Sequence, residues 1–294
     1  MQYRSLLKNG TLLVAASLLT LAACRRDKAT DTTSTTPTLS TADDNGGYAS
    51  DAAKLENTSN DVISITDVAA TTGGSGLRTT SPCATVTNDT ISTPHVLTIN
   101  FGATDCLCAD GKYRKGEIIV TYSGRYKDSG SVHTISYDGY YVNDNYVGGS
   151  KTVTNEGTNA SGQVWYTVVV NDSIILTTDS VITQTAHRTR TWLTGYSTPT
   201  RSDDSYAIAD VSGYSTVLRR ANGHIFNLSI TSPLTIALSC DYIEAGTLDI
   251  SSSTFVAGDR ILNYSYGLGA TTGLCDDLAQ LTIGTHTYVI TLHP

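Results

Sequence analysis

Long apolar runs are almost missing from this chain of 294 residues. Only Thr11 to Leu21 is nearly unbroken, and it falls short of the roughly 20 residues that a bilayer-crossing helix needs, so no membrane-spanning helix is expected. Phenylalanine occurs 3 times, tryptophan 2 times and methionine once, against 17 tyrosines. Tyrosine packs its ring while keeping its hydroxyl wet, which suits strands with one solvated face. Basic residues are few and nowhere dense: 19 Lys and Arg against 27 Asp and Glu leave a formal charge of −8. That excludes a nucleic-acid binder, which needs a basic face. No H-E-x-x-H pair, G-x-S-x-G elbow, P-loop or dinucleotide fingerprint occurs, so the common zinc-protease, hydrolase and nucleotide-binding readings have no support. No cofactor is implied. A sustained 3.6-residue apolar period is also lacking, which argues against a long amphipathic helix.

What is present begins at the N-terminus. Arg4 and Lys8 precede the apolar run, which ends in small residues, the layout of a secretory signal peptide over residues 1–23. Leu21-Ala22-Ala23-Cys24 resembles the lipobox of bacterial lipoproteins. The resemblance implies that Cys24 becomes the mature N-terminus and carries acyl chains, each buried CH₂ contributing about 0.8 kcal/mol to membrane attachment. Arg25 stands where lipoproteins retained on the inner membrane often carry Asp, so the outer membrane is expected. The Arg25-Arg26-Asp27-Lys28 run departs from the acidic cluster of surface-exported lipoproteins, which leaves open whether the protein faces the periplasm or the outside.

Residues 24–77 are rich in Thr, Ser, Asp and Asn, and read as a disordered tether unable to bury enough apolar surface to offset ordering entropy. The first part of this stretch, Arg25 to about Asn60, is about 36 residues and would span roughly 33 Å root-mean-square. Val62 to Val68 reads as a short strand or a docking segment, and Gly73-Gly74-Ser75-Gly76 as a flexible joint.

Residues 78–294 alternate between strand and turn. Glu117 to Tyr122, His95 to Phe101, Val164 to Val170, Ser173 to Thr178 and His224 to Ile230 are β-branched and aromatic runs. Asn222-Gly223 carries the strongest hairpin signal; Asp110-Gly111, Asp138-Gly139, Asn143-Asp144-Asn145, Asn171-Asp172 and Gly284-Thr285 are further turn candidates. The expected fold is all-β, an antiparallel meander forming a hairpin-built sheet or sandwich, as one domain or as two sub-sheets at about 78–200 and 201–294.

Besides Cys24, five cysteines remain: Cys83, Cys106, Cys108, Cys240 and Cys275. Export predicts disulfides, and an odd count leaves one thiol unpaired within the chain. Cys240 with Cys275 is favoured, since both end strands of one C-terminal meander; Cys83 would pair with Cys106 or Cys108. The C-x-C at Cys106 to Cys108 lacks the spacing or nearby histidines of a zinc site, so no metal is expected.

The stretch Thr98-Ile99-Asn100-Phe101-Gly102, then Cys106-Leu107-Cys108-Ala109-Asp110-Gly111-Lys112, Arg114 and Gly116, resembles a set of Thr- and Tyr-rich envelope lipoproteins of Bacteroidota-type bacteria. Tyr140 to Asn145, Thr152 to Asn155 and Leu238-Ser239-Cys240 are similar to their middle and C-terminal parts. The likeness implies envelope location and carries no activity with it.

Candidate functional residues follow from chemistry. Tyr137, Tyr140, Tyr141, Tyr146, Trp165, Tyr166 and Trp192 could form an aromatic surface for sugar rings or peptide side chains, or pair across strands. Thr32, Thr90, Ser173 and Ser180 each follow an Asp in the pattern of Bacteroidota O-glycosylation. The acidic pairs Asp203-Asp204 and Asp276-Asp277 lie in turn-rich segments, where Asp bonds its own backbone. No catalytic set emerges. The expected role is a non-enzymatic envelope module held to the membrane by its lipid anchor and binding a glycan or a protein; a structural or assembly role comes second, and a polysaccharide-acting enzyme third.

Overall fold

The computed structural model describes residues 45–72, 84–255, 258–266 and 275–292. A helix, α1 (Asn45–Thr72), comes first. Fifteen strands follow: β1 (Thr85–Asp89), β2 (His95–Asn100), β3 (Cys106–Leu107), β4 (Tyr113–Tyr122), β5 (Val132–Val142), β6 (Asn145–Thr158), β7 (Val164–Ile175), β8 (Val181–Thr194), β9 (Ser205–Asp210), β10 (Thr216–Arg220), β11 (Ile225–Ala237), β12 (Ala245–Ser251), β13 (Arg260–Asn263), β14 (Leu278–Ile283) and β15 (His286–Thr291).

Alternation sets the two faces of the sheet. In β8, Ile182, Gln184, Ala186, Arg188, Arg190 and Trp192 are buried, and the residues between them are not. Pairing is antiparallel throughout and forms one sheet, in which β9 bridges β8 and β11. The strands on either side of residue 200 therefore belong to one continuous sheet. The turns are partly as the sequence predicts. Asn143 and Asp144 both have positive φ and join β5 to β6, the backbone that a type I′ hairpin requires. At Asn222-Gly223 only Gly223 has positive φ, so the β10–β11 connection is a longer hairpin closed by Arg220 and His224.

Two expected turns lie inside strands instead. Asp138-Gly139 forms a bulge in β5, where Gly139 meets Gly116 of β4; a Cβ on Gly116 would lie 2.0 Å from the Gly139 carbonyl oxygen. Asn171-Asp172 sits in the middle of β7, opposite Gly149 and Ser150. Of these four residues only Gly139 has positive φ, the left-handed backbone that a glycine bulge shares with a turn.

The larger correction is at 45–72. Composition predicts a tether there, with Val62 to Val68 a short strand or a docking segment. The chain instead forms α1, buried over most of its surface, with Asp51, Lys54, Thr58, Asp61, Ser64 and Val68 half-buried along one stripe. It touches β2 near one end of the strand order and β12, β13 and β14 near the other, so the sheet curls around it. Small residues let the sheet approach: Ala49, Ala52 and Ala69 are fully enclosed, with Leu55, Val62 and Ile63 beside them. Polar side chains are accommodated by bonding the helix's own carbonyls, as Asn60 Nδ2 does to Glu56 (2.8 Å) and Thr66 Oγ1 to Ile63 (2.9 Å).

Four acidic residues wind around α1, and each meets a cation of the sheet. Asp51 accepts from Arg220 of β10 at 2.6 Å. Glu56 is bound by Arg188 and, at 2.9 Å, by Gln184, both of β8. Asp61 accepts from Arg114 of β4 at 2.8 Å, with Lys112 at 3.5 Å. Asp67 is paired with Arg201 and accepts from Tyr206 of β9 at 2.6 Å. Spacings of five and six residues, at about 100° each, turn successive acids to different sides of the helix. The helix is thus keyed to the sheet by charge in several directions at once.

Candidate ligand-binding site

Two cavities flank α1. The wider, about 670 Å³, lies at its C-terminal end between Ala70 to Thr72, the tip of the β4–β5 loop and the segment after β8. The loop tip is built by Asp128, whose carboxylate accepts from the Arg125 amide at 3.2 Å while its own amide donates to the Arg125 carbonyl at 2.9 Å. This turn holds Arg125, Tyr126 and Lys127 against the cavity.

Its aromatic wall is a stack. Tyr122 lies flat on His133 with centroids 5.3 Å apart, Tyr126 stands edge-on to His133 at 5.3 Å, and Tyr126 in turn stacks on Tyr166 at 4.8 Å. His133 donates Nε2–H to the Gly124 carbonyl at 3.0 Å. Burial pushes its pKa down to about 4, with the Gly124 bond opposing, so the imidazole is neutral near pH 7. Tyr122 donates to Asn88 at 2.6 Å, which brings β1 into the wall.

Three cations reach this space. Lys127 sits over the rings of Trp192 (4.8 Å) and Tyr196 (4.7 Å) and donates to the Tyr196 carbonyl at 2.8 Å. Arg125 is exposed at the tip. Arg201 is committed to Asp67 and, at 2.5 Å, to Asp204. Arg125 and Lys127 line the cavity together with the C-terminal end of α1, whose partial negative charge of about one half they more than offset. Arg201 is held by two buried carboxylates, but at the rim itself Arg125 and Lys127 outnumber the one carboxylate, Asp128.

Behind the wall lies a buried polar cluster. The Arg190 guanidinium stacks on Tyr206 at 3.7 Å, and its nitrogens, like the hydroxyls of Tyr126 and Tyr166, have no hydrogen-bond partner among the described residues. Burial raises the Asp67 carboxyl, and Arg201 and Arg190 offset this only in part. Burial likewise raises Asp204 to about 6; Arg201 opposes it, and Asp67 adds to it. Trp192 Nε1 donates to Asp204 at 3.2 Å.

The aromatic candidates read from sequence divide between the faces. Tyr140, Tyr166 and Trp192 are buried in the core, so they present no solvent-facing surface; their strand positions point them inward. Tyr137 is half-buried, stacked on Tyr140, and accepts from Lys151 at 2.6 Å. Tyr141 and Tyr146 pair edge-on at 5.3 Å beneath Lys115, and half-buried Trp165 lies in β7 opposite Thr191. The seven do not form one patch. Cross-strand packing is what most of them do.

Cys240 and Cys275 are joined, as their strand positions predict. Cys106 is disulfide-bonded and buried Cys108 is free; Cys83 lies outside the described residues, as do Cys24, Thr32 and the 1–23 segment. Thr90 and Ser180 are exposed, whereas Ser173 lies within β7 next to Asp172, which is buried and paired with Lys151. Asp203 accepts from Thr198 at 2.9 Å within its turn, but its neighbour Asp204 is wholly buried. Among the described residues no group of three or more His, Cys, Asp or Glu gathers as metal ligands would.

Sequence reading missed Arg125, Lys127, Arg201 and Tyr126 altogether. No motif links them, because they come from two loops that only the curvature of the sheet brings together. No family model matches this chain, and no curated protein or solved structure matches it either.

Proposed function

We propose that this protein is a lipid-anchored, non-enzymatic module of the bacterial outer membrane that binds a glycan in the wide cavity, acidic sugars above neutral ones. The observation that carries the reading is the cavity of about 670 Å³ whose rim holds Arg125 and Lys127 beside Tyr122 and Tyr126. Its volume lies in the ordinary small-ligand range, roughly 300–1,000 Å³, too confined for a protein surface and ample for a few sugar units. Surplus positive charge favours carboxylated sugars over neutral ones. Anchoring rests on the Leu21 to Cys24 sequence.

The test is titration of the purified protein with tri-galacturonate and with maltotriose. Tri-galacturonate should bind more tightly, and Lys127→Glu should weaken it about tenfold, which is about 1.4 kcal/mol. Equal affinities, or an unaffected variant, would overturn the ligand class. Cys24→Ser should release the protein from the membrane fraction; retention there would overturn the anchor.

A second reading, assembly by strand addition, is favoured by one observation. Among the described residues β15 pairs only with β14, and β1 only with β2, so each presents an edge.

A further inference from the structure

The narrower cavity, about 340 Å³, opens on the other flank of α1 and has different chemistry. Its walls are chiefly apolar, formed by Ile65 and Val68 of the helix and by Ile236, Leu238 and Ile243 of the segment that runs out of β11. Into it faces Asn57, only 9% exposed, whose Oδ1 has no hydrogen-bond partner among the described residues. A buried acceptor left unbonded costs on the order of 1–3 kcal/mol, so a ligand that donates to it gains what the free protein lacks.

The charges at the cavity do not balance. Arg114 is held by Asp61 at 2.8 Å and by Asp110 at 2.5 Å. Lys112 lies 3.5 Å from Asp61 and 3.9 Å from Asp110. These two cations and two carboxylates satisfy one another. Asp241, exposed at the mouth, is a third carboxylate facing the same two cations, so acids outnumber bases three to two. Its carboxyl is raised by partial burial and by the negative charges of Asp110 and Asp61, which Lys112 and Arg114 offset only in part.

We propose that this cavity is a binding site for a small molecule with an apolar body and a protonated amine. The body packs against Ile65, Val68 and Ile236, and the ammonium lies at Asp241, with a donor directed at Asn57 Oδ1. An anionic ligand is refused by the excess carboxylate, and a purely apolar one leaves Asn57 unmatched. The site is independent of the wide cavity, which prefers the opposite charge.

Calorimetric titration of the full mature protein with tryptamine, and with indole-3-acetate as the acid of similar shape, tests this. Tryptamine should bind saturably at one site, and indole-3-acetate at least about tenfold more weakly. Asp241→Asn, at an exposed position, should reduce tryptamine affinity about tenfold with the melting temperature unchanged. Ser64→Phe, which fills the cavity from the helix, should abolish binding, while Lys127→Glu in the other cavity should leave it intact. Absence of saturable tryptamine binding would overturn the proposal. So would equal binding of the acid, indifference to Asp241→Asn, or loss of binding in Lys127→Glu.

Discussion

Arg188 shows what a charge inside a sheet demands. It points inward from β8, is almost wholly enclosed, and is held between Glu56 of α1 and Asp210 of β9, with Thr216 accepting at 2.7 Å. Such a pair gains little over a well-packed apolar one, yet losing one partner strands a charge in low dielectric. Arg188→Met is therefore expected to cost about 3–5 kcal/mol in urea denaturation, and Arg188→Met with Glu56→Leu to recover most of it. Titration separates two other residues. Asp204 has a raised pKa, so the folded state holds its proton more tightly than the unfolded chain. Its contribution is fully present below the ordinary carboxylate range and is lost as pH rises through about 6. His133 has a depressed pKa; its contribution is present above the ordinary imidazole value and is lost as pH falls towards about 4. Between pH 4 and 6.5 the two therefore act in opposite directions. Melting curves across that interval should show Asp204→Asn and His133→Gln deviating from the parent with slopes of opposite sign.

At the scale of elements, the strands were legible and the helix was not. Period-two alternation in β7 and β8 needs only local sequence to be seen, because each strand has one buried face. α1 lacks so clean a division. Its apolar residues cover a broad arc rather than a narrow one, the remaining stripe is only half-buried, and Asn57, Ser59, Asn60, Thr66 and Asp67 are buried with the apolar ones. A helix whose buried arc holds so many polar residues shows little amphipathic period, and polar residues that bond inside it imitate the composition of a linker. The wide cavity was illegible for a related reason: Arg125 and Lys127 become neighbours of Arg201 only through tertiary curvature. If α1 is core, Leu55→Ala should destabilise the protein by about 2–5 kcal/mol, as a buried leucine of a strand such as Leu248 would. A tether would lose nothing. The bond between Cys240 and Cys275 closes a separation of 35 residues that includes β12 and β13, so Cys275→Ser should cost up to about 4 kcal/mol in non-reducing denaturation.

Taken whole, the molecule is a sheet with a basic inner face wrapped on an acidic helix, and the two are unstable apart. Removing α1 would leave Arg114, Arg188, Arg201 and Arg220 without their helix partners; removing the sheet would leave a helix with charges on every side. Unfolding should therefore be a single transition, with far-ultraviolet dichroism and tryptophan fluorescence at Trp165 and Trp192 falling together; separated midpoints would show that the helix leaves first. The order of elements adds a consequence in time. α1 precedes every strand, yet one of its packing partners is β14, almost the last. Chains of high contact order close slowly, because distant segments must meet before any contact rewards them. A polypeptide emerging from its N-terminus thus carries its core element naked through nearly all of its synthesis. An early helix must wait for a late strand before its packing is complete.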